Sequence, residues 1–270
     1  MSAPRFSFFW MLGGFIYTTL FSLIAGPKRV AVAFAREWKY ASLAGIFTLF
    51  WVLPYFAGIK RLDPPVGALV FNVRGIWAVA IGLVLLGERY SRAQYAGMLI
   101  ILAGLTINLI QSGGPDETIG TLLLTGSALS FVLTNVCVKK IIHKTGVLPA
   151  LYARFAIPLL AFAIISGNDI SFTSLGSREI LLLATGSFVG PFLSFILVFS
   201  SLKYVTIGMQ SFFLSSGVFL TGVLSFLVFG SIPTGLQLTG GVIIVLGTII
   251  LSLIAPQSKP SRPRGEAKRP

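Results

Sequence analysis

One arginine stands near the middle of an apolar stretch running from 66 to 87, in the run Asn72-Val73-Arg74-Gly75-Ile76-Trp77. A charge at that depth of a bilayer costs at least ~2.5 kcal/mol, so the side chain must face a cavity or partners inside the protein. A guanidinium there can grip a carboxylate or phosphate in a two-pronged fashion; it can equally bond helix carbonyls or a water pocket. Arg154 lies a turn or two into another apolar stretch and has two readings. It snorkels to the headgroups, or it lines an inner vestibule as a gate, with Tyr152 beside it. Asn72, Asn135, Gln210 and Ser215 are uncharged polar groups at depth, suited to bonding one helix to another or to touching a solute. Trp77, like Trp51 and Tyr55, could stack on a planar solute or contact lipid.

What is missing narrows the chemistry. No Asp or Glu lies clearly inside an apolar stretch, so the buried carboxylate relay expected of a proton-coupled exporter of polycations is absent. The one histidine, His143, stands among Lys139, Lys140 and Lys144, a solvated cluster rather than a catalytic pair. No metal-ligand spacing occurs and no cofactor is implied. Cys137 is the single cysteine, so no internal disulfide can form. An intramembrane enzyme is therefore the least favoured function. A small anionic, zwitterionic or neutral metabolite as cargo fits better.

The elements that must position these groups are membrane helices. Apolar residues make up 55% of 270 and the mean hydropathy is +0.89. Nine apolar spans, A to I, cover roughly 6–25, 40–59, 66–87, 92–111, 118–138, 147–166, 180–201, 207–229 and 235–254. Helices, not barrel strands, suit runs of this length without alternation.

The net charge of +13 reads as topology rather than nucleic-acid binding. With the C-terminus in the cytoplasm, the far side receives only Arg5, Lys60, Arg61 and Arg178, and Arg74 and Arg154 fall within spans. The other Lys and Arg are cytoplasmic, as the positive-inside rule requires of an inner-membrane protein. The basic tail, 256–270, reads as disordered.

The chain also repeats itself. Gly87, Gln94, Gly97 and Gly104 recur at one constant offset as Gly230, Gln237, Gly240 and Gly247. Gly97, Gly104, Gly240 and Gly247 allow close helix approach. Ser91 with Gln94, and Thr234 with Gln237, read as capping boxes opening spans D and I, and Glu88 reads as a charge favoured by the N-terminal end of span D. Spans C and H are an odd number apart, so the two copies enter the membrane in opposite directions. Inverted repeats are the usual build of a secondary transporter.

The Leu-Gly-Glu-Arg turn at 86–89, Gln94, Gly97 and Gly104, and the second copy at 230–247, resemble the drug/metabolite transporter superfamily and its EamA-like domain. The resemblance implies a ten-helix bundle of two inverted repeats, here 1–111 and 118–255, carrying small metabolites by alternating access. The first repeat has four spans and the second five, so the first is expected to lack its opening helix. A non-transporting membrane subunit or lipid-handling partner is the rival expectation, and a homodimer is compatible with either.

Overall fold

The computed structural model describes residues 3–62, 64–109, 115–167, 175–217 and 235–254, with isolated positions at 220, 223, 224 and 227. Every described element is a helix. In order these are α1 (Ala3–Ala25), α2 (Pro27–Arg36), α3 (Trp38–Ile59), α4 (Pro64–Phe71), α5 (Arg74–Leu86), α6 (Arg92–Leu109), α7 (Pro115–Thr145) and α8 (Val147–Ser166). Then follow α9 (Ser177–Ser187), a π-helical segment (Phe188–Ser194), α10 (Phe195–Ser201), α11 (Ile207–Ser215) and α12 (Gly235–Ile254). Among the described residues, five spans are long and apolar enough to cross a membrane: Pro4–Ala25, Trp38–Ile59, Asp116–Thr145, Val147–Ser166 and Ser177–Ser201.

Among the described residues, spans C, G and H depart from continuous helices; in span H, α11 ends at Ser215 and Ser216 N–H donates to the Phe213 carbonyl at 3.2 Å. Span C breaks between α4 and α5. There Val73 N–H donates to the Val70 carbonyl (3.1 Å) and Gly75 N–H to the Asn72 carbonyl (3.0 Å), tightening the chain to three-residue steps. The Asn72 side chain drives this locally by donating to the Ala68 carbonyl at 2.6 Å. Span G carries a π segment around Pro191, which has no N–H to give an ordinary α-helical ladder. A short helix, α2, also occupies the basic stretch after span A that reads as a loop in the sequence. Span H is described continuously only to Gly217, and Gly230 and the Thr234 cap lie outside the described residues.

α7 is the spine. It lies along α3, while α1 pairs with α8 and α6 with α12. Its first turn carries Asp116 and Glu117 and its last turn His143 and Lys144, which complements the helix dipole at both ends. Where α7 turns into α8, Gly146 adopts φ 97°, a conformation that disfavours side chains.

The glycines of the two sequence copies meet each other. A Cβ on Gly104 would lie 2.8 Å from the Gly240 carbonyl oxygen and 2.9 Å from Ile244, and one on Gly247 would lie 2.7 Å from Ile101. The contacts are reciprocal, copy one against copy two and the reverse. Gly104→Leu is expected to lower the thermal midpoint of the detergent-solubilised protein by about 5 °C, because overpacking costs about 1–3 kcal/mol. Gly126→Leu is the control, since a Cβ there meets nothing within 4 Å. Equal midpoints for the two variants would show that the α6–α12 approach does not need glycine.

Candidate functional site

At the centre of the bundle, six aromatic rings from four elements form one cluster. Trp51 and Tyr55 come from α3, Phe71 from α4, Phe131 from α7, and Phe195 and Phe199 from α10. Trp51 meets Phe131 edge-on at 5.4 Å, Tyr55 meets Phe71 at 4.9 Å, and Phe131 lies 6.3 Å from Phe195 between centroids. The π segment matters here, because α10 begins directly after it at Phe195.

Two arginines flank this cluster. Arg74 is the first residue of α5, at the break in span C. Its guanidinium carbon lies 4.9 Å from the Phe71 centroid and 5.6 Å from that of Phe131. One amino group donates to Asn72 Oδ1 at 3.1 Å, while the buried Nε has no partner among the described residues. A guanidinium at the start of a half-helix adds its charge to the positive end of the helix dipole, an arrangement that favours an anion.

Arg154 corrects the snorkelling reading. It is 0% exposed. The physical reason is its helix face: it points from α8 toward α3 and α10, so Trp51 (5.2 Å) and Phe195 (3.0 Å) close over the guanidinium, with Phe155 at 5.6 Å. None of its three nitrogens has a hydrogen-bond partner among the described residues. Ring faces attract the cation by about 0.5–2 kcal/mol, which does not replace hydrogen bonds.

The other polar candidates spend their bonds inside the protein. Asn135 Nδ2 donates to Gln210 Oε1 at 3.3 Å, and Gln210 Nε2 donates to Ser201 Oγ at 3.0 Å and to the Val198 carbonyl. They tie α7, α10 and α11 together. Ser215 Oγ donates back to the Ser211 carbonyl at 3.2 Å. Tyr152 shares a 2.8 Å bond with Ser22, joining α8 to α1. Trp77 is half-buried, and its Nε1 has no partner among the described residues. Gln94 closes the capping box: its Oε1 accepts from Ser91 N–H at 2.8 Å while its N–H donates to Ser91 Oγ at 3.2 Å. Gly97 is buried on the same helix, and Gln237 belongs to α12, with its side chain outside the described residues.

Glu88 has a different role from the one its neighbours in sequence suggest. Its partners are not at the start of α6 but on α7 and α11. Its carboxylate accepts from Lys139 Nζ at 2.7 Å, from the Tyr90 hydroxyl at 2.6 Å, and from Ile207 N–H at 3.0 and 3.2 Å. The positive helix end it occupies is that of α11. Gly87, at φ 61°, makes the sharp turn that delivers it. Burial, together with the Glu88 carboxylate, pushes the Tyr90 phenol well above its ordinary value, so its proton stays in the bond. This latch and the aromatic cage around Arg154 escaped the sequence reading. The only signals were Glu88 and Pro191 themselves, and neither names its partner.

A separate groove of about 260 Å³ lies between α1 and α9. Its walls are mostly apolar, with Leu12, Ile16, Ile180 and Leu183 among them, and no charged group among the described residues lines it. Among the described residues, no cluster of His, Cys, Asp or Glu could hold a metal ion.

The sequence pattern of the EamA-like transporter family matches residues 1–110 and again 118–253. The chain belongs to that family. It is 24% identical over 239 residues to a probable terminal-alkyne amino-acid exporter of Streptantibioticus cattleyicolor, covering 86% of this chain and 78% of the relative. It is 22% identical over 208 residues to the uncharacterized transporter YyaM of Bacillus subtilis, covering 73% and 67%. A solved structure known only as "Crystal structure of protein" shares the fold, with a TM-score of 0.71 at 19% identity, over 94% of this chain and 89% of that one. Family and apolar helices together make this EamA-like chain a multi-pass membrane protein and a transporter of small molecules. Relatives described as an exporter and a transporter agree with a function other than catalysis.

Proposed function

We propose that this EamA-like protein is a secondary transporter that moves a small anionic, zwitterionic or neutral metabolite across the inner membrane by alternating access. The two repeats, 1–111 and 118–255, insert in opposite directions with the C-terminus cytoplasmic. They rock about the α6–α12 contact so that the central site faces each compartment in turn. The observation that carries this reading is Arg74, a charged side chain at the mouth of a broken helix beside an aromatic cluster, in a chain that carries the family pattern twice. Arg74 binds the anionic group, and Asn72 holds its guanidinium from behind. Trp77 lies one turn along α5 from it. Arg154 lines the other flank. The reciprocal glycine contacts support a two-fold relation between the repeats.

The test is counterflow in proteoliposomes holding the purified full chain. Vesicles are preloaded with one unlabelled solute and offered its labelled form. Amino acids come first, because one relative's description names them, followed by mono- and dicarboxylates and neutral sugars. The expected result is saturable accumulation of label above protein-free vesicles for at least one solute. No accumulation across the panel would discard the transporter reading.

A further inference from the structure

Among the described residues, and apart from Asn135 Oδ1, an acceptor one turn along α7 from Phe131, the buried atoms without a partner around the aromatic cluster are donors. They are all three guanidinium nitrogens of Arg154, Nε of Arg74, and the indole N–H groups of Trp51 and Trp77. Arginine and tryptophan side chains cannot accept a hydrogen bond, and buried polar groups are normally satisfied. A site built this way wants a ligand rich in acceptors.

The charge count agrees. The two buried acids that pair with bases are taken: Glu88 by Lys139 at 2.7 Å and Glu37 by Lys144 at 2.9 Å. Among the described residues no acid pairs with Arg74 or Arg154. The core therefore holds two cations with no counter-charge from the described residues.

Two guanidiniums call for two anionic groups. Arg74 comes from α5 and reaches the cluster on the Phe71–Phe131 side, while Arg154 comes from α8 and lies on Phe195. Phe131, beside Arg74, lies 6.3 Å between centroids from Phe195, which packs on Arg154. An anion on one guanidinium leaves the other unpaired in an apolar cage.

Resting on the transporter reading and sharpening it, we propose that Arg74 and Arg154 form a two-ended anion site whose solute is a small dicarboxylate. One carboxylate pairs with each guanidinium, and the carbon chain between them lies along the Phe131 and Phe195 rings. Each guanidinium presents a fork that matches a carboxylate, and the apolar middle of the ligand meets ring faces rather than polar groups.

The test is ligand binding to the full chain in lipid nanodiscs, read as equilibrium affinity and as the shift in thermal midpoint. The probes are α,ω-dicarboxylates from succinate to suberate, monocarboxylates of matching length, alanine, inorganic phosphate and glycerol phosphate. At least one dicarboxylate is expected to bind tenfold or more tightly than the monocarboxylate of the same length, with an optimum chain length. Arg154→Met should raise the ligand-free midpoint, because it removes an unpaired buried charge, and should erase the dicarboxylate preference. Arg154→Lys, which keeps the charge, should retain part of it. If Arg154→Met keeps the preference, or if alanine or a monocarboxylate binds as tightly as every dicarboxylate, the two-ended site is wrong. Exchange of such a solute in counterflow would then leave the transporter reading standing. If phosphate or its ester binds more tightly than the whole dicarboxylate series, the assignment to dicarboxylates is wrong.

Discussion

Replacing Glu88 by alanine is expected to lower the thermal midpoint by about 10 °C, the equivalent of about 3–5 kcal/mol for breaking a buried ion pair from one side. The side chain is 7% exposed and its partner Lys139 18% exposed, so little water is at hand to replace the lost contact. The change removes the shared acceptor of three donors at once: the Tyr90 hydroxyl, the Ile207 N–H at the start of α11, and the Lys139 ammonium, which keeps only the Val205 carbonyl at 3.2 Å and loses its counter-charge. Glu88→Gln keeps an acceptor for Tyr90 or Ile207 and removes the charge, so it should fall between wild type and alanine. Lys139→Met in the Glu88→Ala background should recover much of the loss, because the stranded ammonium is then gone. Thermal unfolding in detergent, followed by circular dichroism, measures all of these. A wild-type midpoint for Glu88→Ala would show that the three elements are held by something other than this carboxylate.

The position of the latch gives it a second consequence. α5 runs from Arg74 to Leu86, about 20 Å at 1.5 Å per residue. Arg74 stands at one end of this rod, and Gly87 and Glu88 follow the other. A tilt of α5 that moves Arg74 relative to the rings must therefore strain or release the bond to the α11 N-terminus. The solute site and the α7–α11 contact are thus joined through one short helix.

How far the sequence reveals this depends on the range of each interaction. Spans A, B, D, F and I are legible because length and apolarity alone demand a helix in lipid, and α1, α3, α6, α8 and α12 occupy them. The break in span C is not legible, because it rests on one asparagine choosing a backbone carbonyl. The capping box at Ser91 and Gln94 is legible because both partners lie within one turn. Glu88 is local in sequence and remote in its bonding, so a rule about the nearest helix end points it at α6 instead of α11. Arg154 shows the same limit. Its depth can be read from the chain, but whether it faces headgroups or rings depends on which side of α8 it occupies, and apolar residues nearly surround that helix. Asn135 and Gln210 read as either solute ligands or helix ties; that they bond each other follows only from the packing of α7 against α11.

Arg74→Ala is expected to cut the transport efficiency for the accepted solute by about 100-fold, because removing one side of a buried charged contact costs about 3 kcal/mol. Among the described residues, the guanidinium is held in place by one side-chain hydrogen bond, to Asn72, and by two ring faces. That is little stabilisation set against the cost of burying the charge, so the empty protein should keep or slightly raise its thermal midpoint. Arg74→Lys keeps the charge without the fork and should lie between, with a loss of about tenfold. The separation of the two readouts decides the role. A residue that merely holds helices together would lower transport and midpoint together, and lysine would repair neither. A solute anchor lowers transport alone, and lysine repairs part of it. Counterflow rates beside unfolding curves on the same preparations make the distinction, and wild-type transport by the alanine variant would remove Arg74 from the site.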